Sequence, residues 1–227
     1  ADVATGIGAS STGAVVVGGR FKGTASIACQ SYNTGSTYSA FVARYSSTGT
    51  QNGFNVFGSD GTQPDGNVED QSVNDVVVAA DGSYGIVGYF LGTVNFGAGN
   101  ITNTRGANTF LAKFSATGIY QWAQTFGQSG GFGENAVSVA QDPSGNFVFT
   151  GSNLLVVDYG SGSPLPVDGS YNYIIVKYSS AGAYVWAQSF VPSTNLSNEF
   201  GLAVVTDSSS NIFTAGTFSV EENFGGG

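Results

Sequence analysis

The sequence has little of the chemistry on which most enzymes depend. It contains no histidine, no methionine and a single cysteine, and only 9% of its 227 residues are charged. Without histidine, the commonest general base and the commonest metal ligand are missing, which excludes a Ser-His-Asp triad within these residues. The lone Cys29 cannot form an intrachain disulfide. We interpret it as a small residue in a loop, and an interchain bridge or a modified thiol is the alternative.

Positive charge is also scarce. Six Lys and Arg residues stand against 15 Asp and Glu, which gives a net charge of −9 at pH 7. Because phosphate contacts need clustered cations, nucleic acid and anionic membrane surfaces are poor partners for this chain. No apolar run approaches the roughly 20 residues of a membrane helix, so we expect no membrane insertion.

The chain shows no signal-peptide pattern, and Ala1 is not an initiator methionine, which predicts a mature or excised segment. Glycine is abundant, with 35 residues, and aromatic residues make up 13% of the chain. Aromatic and β-branched residues interrupted by Gly and Ser predict an all-β fold. Low charge and many small polar residues are typical of an extracellular or cell-surface protein.

One stretch of the sequence recurs. Phe110 to Phe126, FLAKFSATGIYQWAQTF, returns as Ile174 to Phe190, IIVKYSSAGAYVWAQSF, and more loosely as Phe41 to Phe57, FVARYSSTGTQNGFNVF. The shifts between copies are 174 − 110 = 64 and 110 − 41 = 69 residues. In the best copies, apolar residues alternate with other residues on both sides of a short connection that ends in glycine. This pattern predicts a β-hairpin in each copy.

Another hairpin is predicted ahead of each copy. Its turn is clearest in Asp142-Pro143-Ser144-Gly145-Asn146, where Asp accepts backbone N–H groups and Pro pre-sets φ. The matching segments are Ile7 to Gly13, Val76 to Ser83 and Leu202 to Asn211. We expect the following strands to end at glycines spaced by 70, 63 and 65 residues, namely Gly18, Gly88, Gly151 and Gly216.

The two hairpins of each copy are joined by a glycine-rich connection, which we expect on the surface. Asn95 to Gly99 matches Asp158 to Gly162 and Asn223 to Gly227. Each repeat therefore holds four antiparallel strands, which is the content of a propeller blade. The predicted fold is an all-β β-propeller with about three and a half blades in one domain, 1–227, divided into repeats 1–69, 70–133, 134–198 and a partial 199–227.

A propeller closes with roughly four to eight blades. We therefore expect the ring to be completed by the remaining blades of a longer chain or by another chain. The second arrangement would be a homo-oligomer or a filament.

The repeat resembles a known family, the β-propeller repeats of secreted and cell-surface bacterial proteins. That family's pattern is an FGGG run, D-x-FVAK, a Trp, FGG and a D-x-x-G-N turn. The similar residues here are Val94-Asn95-Phe96-Gly97, Asn108 to Lys113, Trp122, Phe126-Gly127 and Asp142 to Asn146. The chain departs from the pattern in three ways: Ser39, Asn108 and Asn172 replace the Asp before FVAK, Gly53 falls in the register of the Trp, and the last FGG of copy three is Phe190-Val191-Pro192. The resemblance implies a surface protein and no particular activity.

Half of the six cations share one repeat position, Arg44, Lys113 and Lys177. Acids recur just before the first strand of three copies, Asp2, Glu134 and Glu199. Because a partly buried charge needs a partner, we predict that each cation pairs with an acid of its own or a neighbouring repeat. A ring of cations that binds a ligand is the alternative.

The recurring aromatic residues allow two interpretations. Packing between blades is the favoured one, and a sugar-stacking platform is the alternative, for Trp122, Trp186, Tyr120 and Tyr184. Aromatic residues outside the repeat pattern are better candidates for binding, and these are Tyr32, Tyr38 and Tyr171.

Two further site types are candidates. Oxygen ligands spaced as in a calcium loop are present at Asp65, Asn67, Glu69 and Asp70, although the sixth-position Gly and terminal Glu of the helix-loop-helix calcium motif are missing. A solvated loop between repeats is the alternative, and no other cofactor is predicted. Acceptor triplets for N-glycosylation begin at Asn100 and Asn195.

These features favour a non-enzymatic extracellular propeller that serves as a structural, adhesive or protein-interaction module, with a protein or a surface glycan as its partner. The alternatives are a carbohydrate-binding propeller and a fragment of a polysaccharide-active enzyme. Paired carboxylates would carry the chemistry in the enzyme.

Overall fold

The computed structural model describes residues 2–27, 30–58, 70–127, 135–191 and 198–219, with the backbone alone at residues 27, 30, 104 and 105. Within these ranges every regular element is a β-strand, so the prediction of an all-β fold is confirmed. No helix in the described part of the chain is long and apolar enough to cross a membrane.

The described residues form fourteen strands, and nearly all of the strand pairing is antiparallel. In chain order they are β1 (Val3–Ala9), β2 (Val15–Ile27), β3 (Gln30–Tyr45), β4 (Gln51–Phe57), β5 (Asp70–Val78), β6 (Tyr84–Asn95), β7 (Asn100–Phe114), β8 (Tyr120–Phe126), β9 (Asn135–Gln141), β10 (Phe147–Asn153), β11 (Asn172–Tyr178), β12 (Tyr184–Phe190), β13 (Phe200–Thr206) and β14 (Ile212–Thr217).

The strands pair with their sequence neighbours in four groups. Unit 1 is β1–β4, unit 2 is β5–β8, unit 3 is β9–β12 and unit 4 is the hairpin β13–β14. Units 1 and 2 are joined into an eight-stranded sheet by a single parallel bridge, Tyr38 to Asp70. The described strands form an open series of sheets and do not close on one another.

Among the described residues, seven tight turns between strands of the same unit share one hydrogen-bond pattern. The N–H of the first turn residue donates to the carbonyl of the fifth, as in Asp142 N to Asn146 O at 2.9 Å. The N–H of the fourth residue donates to the carbonyl of the first, as in Gly145 N to Asp142 O at 2.8 Å. In six turns the fourth residue is a glycine with φ between 79° and 86°. The exception is Ser210, with φ at 65°, a conformation that disfavours residues with a Cβ.

A bulge recurs on the first strand of every unit, opposite a glycine of the second strand. The bulged residues are Thr5, Asn74, Val137 and Leu202. The facing glycine is required because the strands approach closely: a Cβ on Gly88 would lie 1.9 Å from the Ser72 carbonyl oxygen. Bulges of this kind increase the local twist of a strand.

Two details of the predicted second strand are wrong. The strands do not end at the glycines: β6 continues through Gly88 to Asn95, because a glycine at a close approach still pairs in the ladder. In unit 1 the equivalent glycine is Gly19 and not Gly18, since a Cβ on Gly19 would lie 2.1 Å from the Val3 carbonyl oxygen.

The connection between the hairpins is exposed at Asn95 and from Gly97 to Gly99, as predicted, but most of the segment is paired strand and not a loop. In unit 2, β6 and β7 remain paired as far as Asn95 and Asn100, so the segment is a long two-stranded ribbon. Its apolar side chains return to the core, with Val94 fully buried and Phe96 4% exposed. The longer connection of unit 3 buries Val157 and Tyr159 in the same manner.

The cores lie between consecutive units. The core between units 1 and 2 contains Val42, Phe57, Ile86 and Phe110, and that between units 2 and 3 contains Leu111, Phe126, Phe149 and Val176. A smaller core joins units 3 and 4 through residues such as Val148, Ile175 and Val204. Units 2 and 3 therefore bury both faces of their sheets in such cores.

Candidate functional site: the turn cleft

A concave site lies where the first-hairpin turns of units 2, 3 and 4 come together. It is an open cleft of about 610 Å³, within the range of small-ligand sites. Its walls are the first-hairpin turns of these three units, and Lys113 reaches into it from β7. The polar side chains that line it are Asp81, Ser83, Lys113, Gln141, Asp142, Thr206, Asp207 and Ser208.

The turn of unit 3 has the most complete polar network. Asp142 Oδ1 accepts the backbone N–H groups of Ser144 and Asn146, each at 2.9 Å, and Oδ2 accepts the Asn146 side-chain amide at 2.9 Å. Lys177 Nζ lies 2.8 Å from the same Oδ2, and the Asp142 side chain is only 1% exposed. Burial by itself raises the pKa of Asp142, but the Lys177 and Asn146 hydrogen bonds outweigh it and hold the pKa below its ordinary value.

The carboxylates of the other two turns are more exposed. The Ser83 hydroxyl donates to Asp81 Oδ1 at 2.6 Å, and this bond, with the Ser83 backbone N–H, lowers the pKa of Asp81. Asn211 donates to both oxygens of Asp207 and lowers the pKa of that carboxyl. All three carboxylates of the cleft are therefore ionised at neutral pH.

This arrangement suits binding better than acid catalysis. A general acid at neutral pH needs a raised pKa, and the three carboxylates of the cleft have lowered ones. Within the described ranges, no group of three or more His, Cys, Asp or Glu side chains is placed to hold a metal ion. The cleft offers hydrogen-bond acceptors, hydroxyls and one cation to a ligand.

The three repeated cations have different surroundings. Lys177 pairs with Asp142 of its own unit. Lys113 donates to the Ser180 carbonyl of unit 3 at 3.1 Å and lies 5.8 Å from the Phe147 ring. No ion pair of Arg44 is present among the described residues, and this side chain is 8% exposed.

Arg44 lies between two glycines. A Cβ on Gly53 would be 1.8 Å from Arg44 Nη2, and a Cβ on Gly118 of unit 2 would be 1.4 Å from Nη1. The guanidinium is also beside buried Tyr84, where burial raises the pKa of the phenol to about 12 and Arg44 opposes that rise. Because Gly53 stands in the register of Trp122, the guanidinium occupies the space that an indole fills in unit 2.

Two of the acids predicted as partners, Asp2 and Glu199, have other surroundings. Asp2 accepts the Lys22 backbone N–H at 3.1 Å. Glu199 is fully buried, and its N–H donates to the Tyr171 carbonyl at 2.8 Å. Glu134 is outside the described residues. The sequence did not identify Asp142 as the acid that meets Lys177, although its place at the start of a turn was visible.

The repeated tryptophan of unit 2 packs between units. The ring of Trp122 meets Phe147 edge-on with centroids 5.5 Å apart, and its Nε1 donates to the Ser180 carbonyl at 3.1 Å. Trp186 and Tyr184 are partly buried against the cores, as is Tyr120. In these places the rings serve packing and do not form a free stacking platform.

The three candidate binding aromatics also have contacts within the protein. Tyr32 and Tyr38 lie on β3 rather than in a loop, because the ribbon of unit 1 continues through them. The Tyr32 ring lies 5.0 Å from that of Phe54, and the Arg20 guanidinium is 4.6 Å from the Tyr38 ring. Tyr171 packs against Phe200 with ring centroids 5.3 Å apart.

Several remaining candidates fall outside the described residues, namely Asp65, Asn67, Glu69, Asn195 and Cys29. The fourth proposed calcium ligand, Asp70, pairs with Arg20 at 3.4 Å. Asn100 is exposed at the start of β7, where its Oδ1 accepts the side-chain amide of Asn95 at 3.1 Å.

No protein-family model matches this chain, and no curated protein matches it. The resemblance to propeller repeats of bacterial surface proteins therefore stays a prediction.

Proposed function

We propose that this chain forms blades of a β-propeller, which acts as a non-enzymatic structural, adhesive or interaction module outside the cell or on its surface. The observation that carries the proposal is the series of three apolar cores, each shared by two consecutive units. Such sharing is typical of repeat architectures, in which one unit cannot bury its apolar face alone.

The arrangement of the strands supports the propeller. Contacts between neighbouring units are concentrated on the first strand of each unit, and β1 contacts β5, β5 contacts β9, and β9 contacts β13. In a propeller the first strand of each blade lies nearest the central axis, where blades are closest. The turn cleft would then lie at one end of that axis.

The residues of the cleft support a non-catalytic role. Its carboxylates cap turns through backbone N–H groups, and Lys177 is held by Asp142. These residues hold the turns in place, as expected for a rigid scaffold whose ribbons and loops present surface to a partner.

Labelling of intact producing cells tests the predicted location. Lys22 is exposed on β2, so a membrane-impermeant amine reagent should modify it in whole cells, and mass spectrometry of the Lys22 peptide measures this. A cytosolic protein of the same cells, unlabelled until lysis, is the control. Modification of Lys22 only after lysis would contradict the proposal.

Glycan binding is a second candidate function, favoured by the polar cleft of about 610 Å³. Its hydroxyl, carboxylate and amide groups match the hydrogen-bonding needs of a sugar. If the cleft binds glycans, an array should show binding that Asp207→Asn weakens at least tenfold while Asp2→Asn leaves it unchanged. Absence of binding to every glycan on the array would rule out this candidate function.

A further inference from the structure

Unit 4 exposes an apolar sheet face at the end of the described series. We call the outward side of β13–β14 the trailing face; it consists of Val205, Phe213, Ala203 and Ala215. Val205 is 59% exposed and Phe213 57% exposed, and the two pair across the hairpin. Between the strands is an apolar hollow of about 160 Å³.

The equivalent positions inside the chain are covered. Ala140 and Val148 occupy the same pairing in unit 3, and there they are 7% and 0% exposed because unit 4 packs over them. The trailing face of unit 4 therefore has the composition of a surface that another unit of the same kind buries.

Unit 1 exposes the opposite side of the same kind of sheet. We call this the leading face; it consists of Ile7, Phe41 and Phe54. Ile7 is 68% exposed, and the rings of Phe41 and Phe54 are stacked 5.5 Å apart and half-buried. The residues that take the place of Ile7 in later units are buried against the preceding unit, with exposures of 4%, 5% and 3%, and they are Val76, Val139 and Val204.

We propose that a second copy of this chain packs its leading face on the trailing face of the first, head to tail. Three junctions within one chain show that a leading face is what covers a trailing face in this protein. Ile7 of the second copy enters the hollow beside Val205 and Phe213, as its equivalents enter the internal cores.

A contact between two different faces leaves one of each free, so association continues until a ring closes or a filament forms. The proposal rests on the structural role proposed above and names its partner. The apolar character of both faces makes burial of their surface the driving force for association.

Two single variants and their mixture test the proposal. Phe213→Asp disables the trailing face and Ile7→Asp the leading face, since each places a charge in a contact that must exclude water. Both positions are exposed in the free chain, so folding should be preserved, which circular dichroism verifies. Ile119→Asp is the matched control, because Ile119 is also 68% exposed but lies in a turn of unit 2.

Sedimentation velocity over a range of concentrations gives the readout. Wild type and Ile119→Asp should grow in mass with concentration, while each end variant alone remains a monomer. An equimolar mixture of the two end variants should form a species of twice the mass of one chain and nothing larger, because only one intact pair of faces remains.

Other outcomes overturn the proposal. A wild type that is monomeric throughout shows that a second copy does not cover the face. An end variant that still associates alone shows a contact that does not need both faces. The labelling of Lys22 in intact cells does not depend on self-association, so failure of this proposal is distinguishable from failure of the proposed function.

Discussion

The cation at one position of each unit has a different partner in each copy. Lys177 meets a carboxylate, Lys113 meets a carbonyl and Arg44 lies against glycines. The cause is the first residue of the neighbouring turn, which is Asp142 in unit 3, Ala79 in unit 2 and Ser10 in unit 1. Only Asp at that position both caps the turn and reaches the cation.

Moving one carboxylate by two positions should rebuild the unit 3 arrangement in unit 2. In the double variant Ala79→Asp/Asp81→Ser the net charge is unchanged, and the carboxylate introduced at position 79 is placed to meet Lys113 as Asp142 meets Lys177. We expect the free energy of unfolding to rise by about 1 kcal/mol, the net value of a typical hydrogen bond. Urea denaturation measures it. The gain should vanish when Lys113→Met is added; a gain that persists contradicts the pairing.

The pair of Asp142 and Lys177 makes stability depend on pH. The folded-state pKa of Asp142 lies below its ordinary value of 3.8. Its contribution is therefore complete above that ordinary value and is lost as the pH falls through the lower folded-state pKa. Asp142→Asn should lower the free energy of unfolding at pH 7 by about 1–3 kcal/mol, since it leaves Lys177 without its anion. Denaturation at pH 7 and pH 3 should show this deficit shrinking in acid, and an equal deficit at both contradicts the assignment.

Among the residues that the structure describes, Ser210 is the one turn residue that carries a side chain at positive φ. Ser210→Gly should raise the free energy of unfolding by about 0.5–1 kcal/mol, because glycine adopts this conformation without the steric cost. Thermal denaturation measures the shift. Ser209→Gly is the control, as only the neighbouring Ser210 has positive φ, and it should not stabilise. A loss of stability in Ser210→Gly contradicts the turn assignment.

At the scale of strands and turns, the turn between β11 and β12 of unit 3 packs against β8, the fourth strand of unit 2. Trp122 rests on Gly182, where a Cβ would lie 2.7 Å from the indole, and Gln124 donates to the Gly182 carbonyl at 2.9 Å. In the preceding junction, the Arg44 guanidinium rests on Gly118 in the same manner. One glycine thus serves both its turn and the junction between units.

A pair of glycine substitutions separates these two roles. Gly49→Ala and Gly182→Ala both place a Cβ at positive φ, 79° and 82°, but only the second meets a neighbouring unit. The strained turn should lower the free energy of unfolding of each variant by about 1 kcal/mol. Gly182→Ala should lower it by about 1–3 kcal/mol more, because the added Cβ overpacks against Trp122. Denaturation followed by Trp fluorescence measures both. Equal losses of stability in the two variants would contradict a contact between Gly182 and Trp122 that stabilises the junction of units 2 and 3.

The strands and turns were predictable from the sequence, and the contacts between segments far apart in the chain were not. Alternation in Phe110 to Phe126 predicted β8 and the end of β7, and the turn glycine Gly118 has the expected positive φ. The strand end at Gly88 was wrong, because a glycine required by a close approach looks like a glycine that ends a strand. The cleft was missed, because its three turns come together only when the units pack.

The register of the turns shows the same limit. Asp81 and Asp142 match in the sequence, yet the turn of unit 2 begins at Ala79, two residues before its Asp. A shift of this size leaves the hydrophobic pattern intact, since strands repeat with a period of two residues. Hydrogen bonds and not spacing settle which residues are equivalent.

At the scale of the whole molecule, stability comes from junctions. Units 2 and 3 are covered on both sides, whereas unit 1 and unit 4 each expose an apolar face, at Ile7 and at Phe213. Stability should therefore be uneven along the described chain, and the last hairpin should open most readily.

Hydrogen exchange followed by mass spectrometry tests this claim most directly, in the double variant Ile7→Asp/Phe213→Asp, whose end faces stay uncovered. The account predicts slowest exchange in β9 and β10, faster exchange in β1, and the fastest in β13 and β14. Protection of β13 and β14 equal to that of β9 and β10 would contradict it, since unit 4 would then be stable without a neighbour on its outer face.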